Sequence, residues 1–181
     1  QTPMFHAATM GGILGVPAIF PSGYWSRPPE AGIGLDQAQF DKLDLICRKL
    51  GPRPGMRLLD VGCGWGSLAI HAATHHGATV VGVTVSQEQA DLARRRLAES
   101  GLTDRVEIRL QDYRDVNDGP YDAIASVGMA EHVGRSRLVE YSSVLLDLMR
   151  PGGRLLNHAI ASVRALPPSS KNAPGFIDSY I

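Results

Sequence analysis

Cysteine is scarce here, with Cys47 and Cys63 the only two in 181 residues. They stand far apart and match no metal-ligand spacing, so no metal is expected and a disulfide framework is excluded; they read as reduced thiols of a cytosolic protein. An excess of charge is also missing, since 18 basic residues balance 18 acidic ones. That balance removes the basic footprint that nucleic acid requires and the polybasic patch that anionic lipid attracts, so any lipid contact would have to be apolar. Nor is there a long hydrophobic run. Residues 10–20 are apolar and glycine-rich, but they lack a basic leader and fall short of the roughly 20 residues of a spanning helix. They read as irregular chain or a short helix that packs on the body or covers a site, and the prolines and glycines of residues 21–34 read as a loop. What remains is ordinary: 44% hydrophobic and 20% charged residues supply one core.

Helical spacing begins at Asp36 and runs through Phe40, Leu43, Ile46, Cys47 and Leu50, with Asp36 as the expected N-cap, Gln39 three residues on and Gly51 as the stop. Cys47 therefore belongs to the core. A strand is expected over 56–61, then a glycine turn, then a helix through Leu68, Ala69, Ala72 and Ala73 that ends near Gly77. The unit repeats: a β-branched strand over 79–85 leads into a helix over 87–100, which Ser86 and Gln89 could cap as a Ser-x-x-Gln box. Further strands are expected at 106–110, 122–127 and 154–160, with a helix over 137–149 before Pro151-Gly152-Gly153. This alternation predicts an α/β fold: a mostly parallel sheet with helices on both faces, joined by right-handed crossovers. After residue 160, Pro167-Pro168, Ser169-Ser170 and Pro174-Gly175 interrupt the periodicity. No sixth or seventh strand is found, and the far edge of the sheet is expected to be missing. The organisation expected is an apolar and loop segment (1–35) covering the site, a core (36–160), and an irregular region (161–181) that starts toward the substrate and is cut short.

Leu58-Leu59-Asp60-Val61-Gly62-Cys63-Gly64-Trp65-Gly66 is an apolar run ending in three closely spaced glycines. Glycine allows positive φ and a close approach of backbone to ligand, and the N–H groups of the helix that follows face the ligand's polar atoms. A purely structural turn is the alternative. The spacing is Gly-x-Gly-x-Gly, whereas the dinucleotide fingerprint is Gly-x-Gly-x-x-Gly with an acidic residue after the second strand. Thr84 occupies that acidic position, which argues against an oxidoreductase. Topology brings the strand ends together: Asp60; Thr84, Val85 and Ser86; Asp112 and Tyr113; residues 128–132; Asn157 and His158.

Five segments fall in order over residues 36–160: residues 56–66, Gly82-Val83-Thr84-Val85-Ser86-Gln87-Glu88-Gln89, Gln111-Asp112-Tyr113, Glu131-His132-Val133-Gly134 and Pro151-Gly152-Gly153. Together they resemble the cyclopropane fatty acid synthase and mycolic acid cyclopropane synthase family, S-adenosylmethionine-dependent methyltransferases with a Rossmann-like class I fold. The resemblance implies that Gly62, Gly64 and Gly66 line the amino-acid part of S-adenosylmethionine, and that Thr84, Val85 and Gln89 meet its ribose and adenine. For Gln89 helix capping is an equal account. Asp112 would accept from the adenine amine while Tyr113 packs beside the ring; a solvated loop aspartate is the alternative. Glu131 and His158 would hold a bicarbonate ion, which takes a proton from the new methyl as a cyclopropane closes. Tyr24, beside Trp25, offers an aromatic face to a cation, with simple packing as the rival account. Ser22 stands where the family has a cysteine of the bicarbonate site. His132 reads as a structural histidine, and His75 and His76 as surface residues.

The implied partner is an unsaturated acyl lipid, with a cyclopropane or methyl-branched product. A small metabolite methylated on carbon, nitrogen or oxygen is the rival substrate, and a protein that holds the cofactor without turnover is the rival class. Peripheral membrane contact and a homo-oligomer remain open. Phe176-Ile177-Asp178-Ser179-Tyr180-Ile181 resembles the family segment just before its substrate-proximal loop.

Overall fold

The computed structural model describes residues 23–26, 32 and 34–159. Ser22, most of the expected N-terminal segment and the expected region after 160 lie outside them. The described residues form five strands: β1 (Arg57–Val61), β2 (Thr79–Thr84), β3 (Val106–Leu110), β4 (Tyr121–Val127) and β5 (Met149–His158). All neighbours pair in parallel, in the order β3-β2-β1-β4-β5. The chain works outward from β1 to β3 and then returns to β4, so the strand order reverses between β1 and β4. Open parallel sheets bind ligands at that reversal, outside the carboxyl ends of the strands.

Helices α1 (Leu35–Leu50), α2 (Ser67–His76), α3 (Gln87–Glu99), α4 (Ala130–Val133) and α5 (Leu138–Asp147) connect and cover the sheet. Successive strand residues point to opposite faces. Leu58, Val80, Val106 and Ala123 accordingly pack under α1, α2 and α3, with Ile46, Ala69 and Ala93 among the helical residues. Leu59, Val81 and Ile124 pack on the other face, against Tyr141, Leu145 and Leu148 from α5 and its end. Cover on both faces is why these strands read as continuous apolar runs. Cys47 is fully buried in the first of these cores, as its helical position predicts.

The ends of the elements show where local signals win and where pairing overrides them. Gly51 (φ 64°) and Gly77 (φ 68°) close α1 and α2 in the left-handed conformation, each donating its N–H back to the preceding turn. Ser86 caps α3 by accepting from the Gln89 N–H. Asp36, however, is not the cap of α1: Gly34 holds that place without a side-chain bond, and Asp36 sits in the first turn, where its charge faces the positive helix end. The helix expected over 137–149 is shorter. It is preceded by a 3-10 turn (Arg135–Arg137), and Met149 already pairs with Tyr121. Since Arg154 pairs with Ala123, residues 150–153 form a bulge in β5 that takes up Pro151 and the left-handed Gly152 (φ 77°).

Candidate cofactor and active site

The three glycines after β1 all have positive φ: 73° at Gly62, 54° at Gly64 and 78° at Gly66. Their surroundings divide the work. A Cβ on Gly66 would lie 3.0 Å from the Ala93 Cβ, so this glycine lets α3 pack against the turn. A Cβ on Gly62 would lie 3.2 Å from the Met129 Sδ, whereas one on Gly64 would meet nothing within 4 Å. Gly64 is therefore the residue whose missing side chain leaves open space. The Gly62 and Cys63 N–H groups both donate to the Val83 carbonyl at 3.0 Å, and Arg96 ties the turn down by donating to the Trp65 carbonyl at 2.8 Å.

A cavity of about 150 Å³ opens against this turn, lined by Asp60, Gly62, Gly64, Lys42, Gln89, Gly128 and His132 among others. Two of these are buried charged residues with no role assigned from sequence, of which only Asp60 stood among the strand-end residues. Asp60, the next-to-last residue of β1, is 2% exposed, its Oδ2 has no hydrogen-bond partner, and desolvation pushes its carboxyl up to about 7. Lys42, on the inner face of α1, is 5% exposed, its Nζ has no partner, and burial pushes it down to about 8. Asp60 was visible as a strand-end acid. Lys42 gave no signal, because nothing in the helical spacing marks a lysine as inward-facing.

At the end of β2 the Thr84 hydroxyl donates to the Gln89 Oε1 at 2.7 Å and accepts from the Ser86 N–H at 3.3 Å. Gln89 therefore supplies only its backbone N–H to the expected capping box, at 3.3 Å from the Ser86 Oγ, while its carboxamide lines the cavity. Val85 stands 72% exposed beside this pair. Asp112 caps the 3-10 turn Tyr113–Asp115 and holds Arg114 in a two-pronged pair at 2.9 and 2.7 Å, which keeps its carboxyl below the usual range. Its carboxylate is thus paired with Arg114 in a loop where both partners stay partly exposed. Tyr113 is buried and packs edge-on against Tyr141, with ring centroids 5.5 Å apart.

A second cavity, of about 250 Å³, is lined by Tyr24, Asn157 and His158 together with the apolar Leu45, Ile46 and Leu156. Lys42 and Ile46 line both cavities and form their shared wall. The Tyr24 N–H donates to the Ala38 carbonyl of α1 at 2.9 Å, which fixes this aromatic residue over the helix. The Nδ1 of His158 is buried without a hydrogen-bond partner. Glu131, half-buried on α4, follows β4, whose Val127 pairs with His158; the next residue, Gly128, donates to the His158 carbonyl at 2.8 Å. Between these strand ends the Tyr141 hydroxyl donates to the buried Ser126 hydroxyl, with the Asn157 Oδ1 3.5 Å away. Burial, chiefly, raises the Tyr141 phenol, and the Glu131 charge adds to the rise, which places that carboxylate within electrostatic reach.

The structure thus gathers Gly62, Gly64 and Gln89 at one cavity and Tyr24 and His158 at the next. Gly66 and Thr84 support the first from behind, while Val85, Asp112, Tyr113 and Glu131 line neither. His132 is exposed at the rim of the first cavity. His76 is half-buried and not on the surface.

Residues 18–181 match the family described as mycolic acid cyclopropane synthetase. The chain is 48% identical over 149 residues to a probable fatty acid methyltransferase of Pseudomonas putida, covering 81% of this chain and 38% of that protein. It is 46% identical over 147 residues to a cyclopropane-fatty-acyl-phospholipid synthase of Escherichia coli, covering 81% and 36% respectively. Among solved structures, mycolic acid cyclopropane synthase CmaA1 complexed with SAH and CTAB superposes with a TM-score of 0.65 at 36% identity, over 71% of this chain and 44% of that one. The chain spans well under half the length of these relatives.

Proposed function

The chain belongs to the mycolic acid cyclopropane synthetase family, and on that premise we propose that it transfers the methyl group of S-adenosylmethionine to a cis double bond of an unsaturated acyl chain on a phospholipid or related lipid. One observation carries the cofactor reading. The cavity against the glycine turn contains one buried acid and one buried base, Asp60 and Lys42, neither with a partner at its free atom. A zwitterionic amino acid complements that pair: its ammonium suits Asp60 and its carboxylate suits Lys42, and each contact restores a charge that burial suppresses. Gly64 supplies the open cradle. The Thr84–Gln89 pair and the exposed Val85 suit the ribose and adenine, and Asp112, with lone pairs left beyond those given to Arg114, suits the adenine amine. When bound, S-adenosylmethionine supplies an electrophilic methyl on a sulfonium.

The second cavity suits the acyl chain, because Leu45, Ile46 and Leu156 give it an apolar wall and Tyr24 an aromatic face. Methyl addition to an alkene leaves a carbocation, and an aromatic face stabilises a cation by about 0.5–2 kcal/mol. Loss of a proton from the added methyl closes a cyclopropane; loss elsewhere, or reduction, leaves a methyl branch. His158, with its unpartnered Nδ1, and the Glu131 carboxylate would hold a bicarbonate ion, whose chemistry there is that of a proton acceptor shielded from water. Ser22 would add a hydroxyl to that site. Incubating the chain with methyl-labelled S-adenosylmethionine and vesicles of monounsaturated phospholipid should place label in the lipid fraction. Label appearing only in soluble metabolites, from a protein that binds SAH, would overturn the acyl reading in favour of a small-molecule methyltransferase.

A further inference from the structure

We propose that Cys47, His71 and His76, with Asp44 at their edge, bind one zinc-type divalent ion that clamps α1 to α2. The Cys47 Sγ and one ring nitrogen from each histidine all lie within 4.8 Å of one another. His71 is 5% exposed, and its Nε2, like that of His76, is buried without a hydrogen-bond partner. Packing explains the His71 ring, which meets Phe40 edge-on with centroids 4.9 Å apart. It does not explain two polar nitrogens turned inward toward a thiol. Asp44 does not satisfy them, since its Oδ1 lies 3.9 Å from the His71 Nε2 and 3.5 Å from the His76 Nε2, while its Oδ2 is held by Arg48 at 2.9 Å.

The donor set has the chemistry of a zinc site. One thiolate, two imidazoles and a carboxylate are borderline-soft donors of the kind that hold zinc tetrahedrally, and zinc–sulfur and zinc–nitrogen bonds of about 2.3 and 2.0 Å would bring ligand atoms about 3.5 Å apart. From separations within 4.8 Å, closing to that takes at most about 1.3 Å of movement between any two of the three atoms. As a neutral imidazole each ring keeps a lone pair for a metal. On binding, Cys47 gives up its thiol proton to solvent and becomes the thiolate ligand. Asp44 Oδ1 lies at the histidine edge of this group, 3.9 and 3.5 Å from the two Nε2 atoms, and either it or a water fills the fourth position. The site is separate from the cofactor cavity but bears on it: α1 carries Lys42 and Ile46, the wall of both cavities, and α2 starts at the glycine turn.

Chelator-treated protein titrated with Co(II) should take up one ion per chain, with the charge-transfer band of a cobalt–thiolate bond and the visible absorption of a tetrahedral site. Zinc at about a hundredfold over its dissociation constant should raise Tm by roughly 5–10 °C. Cys47→Ser should lose the charge-transfer band. His76→Gln, at a half-buried helix end, should weaken zinc binding roughly tenfold or more while leaving the circular dichroism and SAH affinity of the parent. Cobalt bound without a thiolate band, uptake well below one ion per chain, or parent-like zinc affinity in His76→Gln would each overturn the site.

Discussion

The Asp60 and Lys42 side chains are both buried where their charged forms lack partners, so burial moves each toward its neutral form and a bound zwitterion moves each back. The pH dependence follows from the two directions. Asp60 titrates at about 7 without ligand, and a bound ammonium lowers that value, so below about 7 binding must expel a proton. Lys42 titrates at about 8, and a bound carboxylate raises that value, so above about 8 binding must take one up. SAH affinity measured by calorimetry should therefore peak between those limits and fall by up to about tenfold per pH unit on either side. Asp60→Asn should flatten the acid limb and Lys42→Met the alkaline one, each weakening binding at the optimum by roughly 10–100-fold. An affinity independent of pH on both sides would refute the pairing of Asp60 and Lys42 with the two ends of a zwitterion. The glycines divide in the same manner. Gly64→Ala adds a methyl to open space at φ 54°, which costs about 1 kcal/mol of backbone strain and crowds the ligand, so SAH affinity should fall more than Tm. Gly66→Ala drives a Cβ to 3.0 Å from Ala93 and should lower Tm first.

Among the elements, α3 shows how one residue can serve two ends. Ser86→Ala removes the side-chain cap and should cost about 1 kcal/mol, seen as a Tm lower by roughly 2–4 °C, with SAH affinity close to that of the parent because the Gln89 carboxamide is held by Thr84 and not by Ser86. A large loss of affinity in Ser86→Ala would mean that the cap, and not Thr84, positions Gln89. The strands and helices of the sheet were legible because burial on both faces writes continuous apolar runs, and because Gly51 and Gly77 stop helices by a conformation that other residues resist. The misplacements have a common cause. The start of β5 is set by pairing of Met149 with Tyr121 across a bulge, and no local pattern encodes a partner 28 residues away in the chain; Pro151 and Gly152 read as a break because the bulge that absorbs them exists only in the sheet. Asp36 resembles a cap in composition, yet the cap lies two residues earlier, at Gly34, and leaves Asp36 inside the helix.

For the whole molecule, α1 is the element that joins the parts, since it packs on α2, walls both cavities and anchors Tyr24 through the Ala38 carbonyl. The glycine turn and the strand ends were readable because they are short local motifs at positions that parallel topology brings together. The Asp60–Lys42 pair and the Cys47, His71 and His76 cluster were not, because each joins α1 to a later element and depends on which helical face turns inward. Separate cavities also mean that binding and chemistry should separate by mutation. His158 ends β5 and lines the second cavity, across the shared wall from the glycine turn, while Glu131 follows β4 and lines neither cavity. Glu131→Gln and His158→Gln should therefore keep the SAH dissociation constant of the parent while lowering labelled lipid formation by about 10²–10⁴-fold, the range over which a positioned acid–base group acts. The measurement is calorimetry beside a labelled-methyl assay on the same preparations. A variant that loses SAH binding in proportion to its turnover would assign that residue to the cofactor pocket, and unchanged turnover in both variants would remove the pair from the reaction.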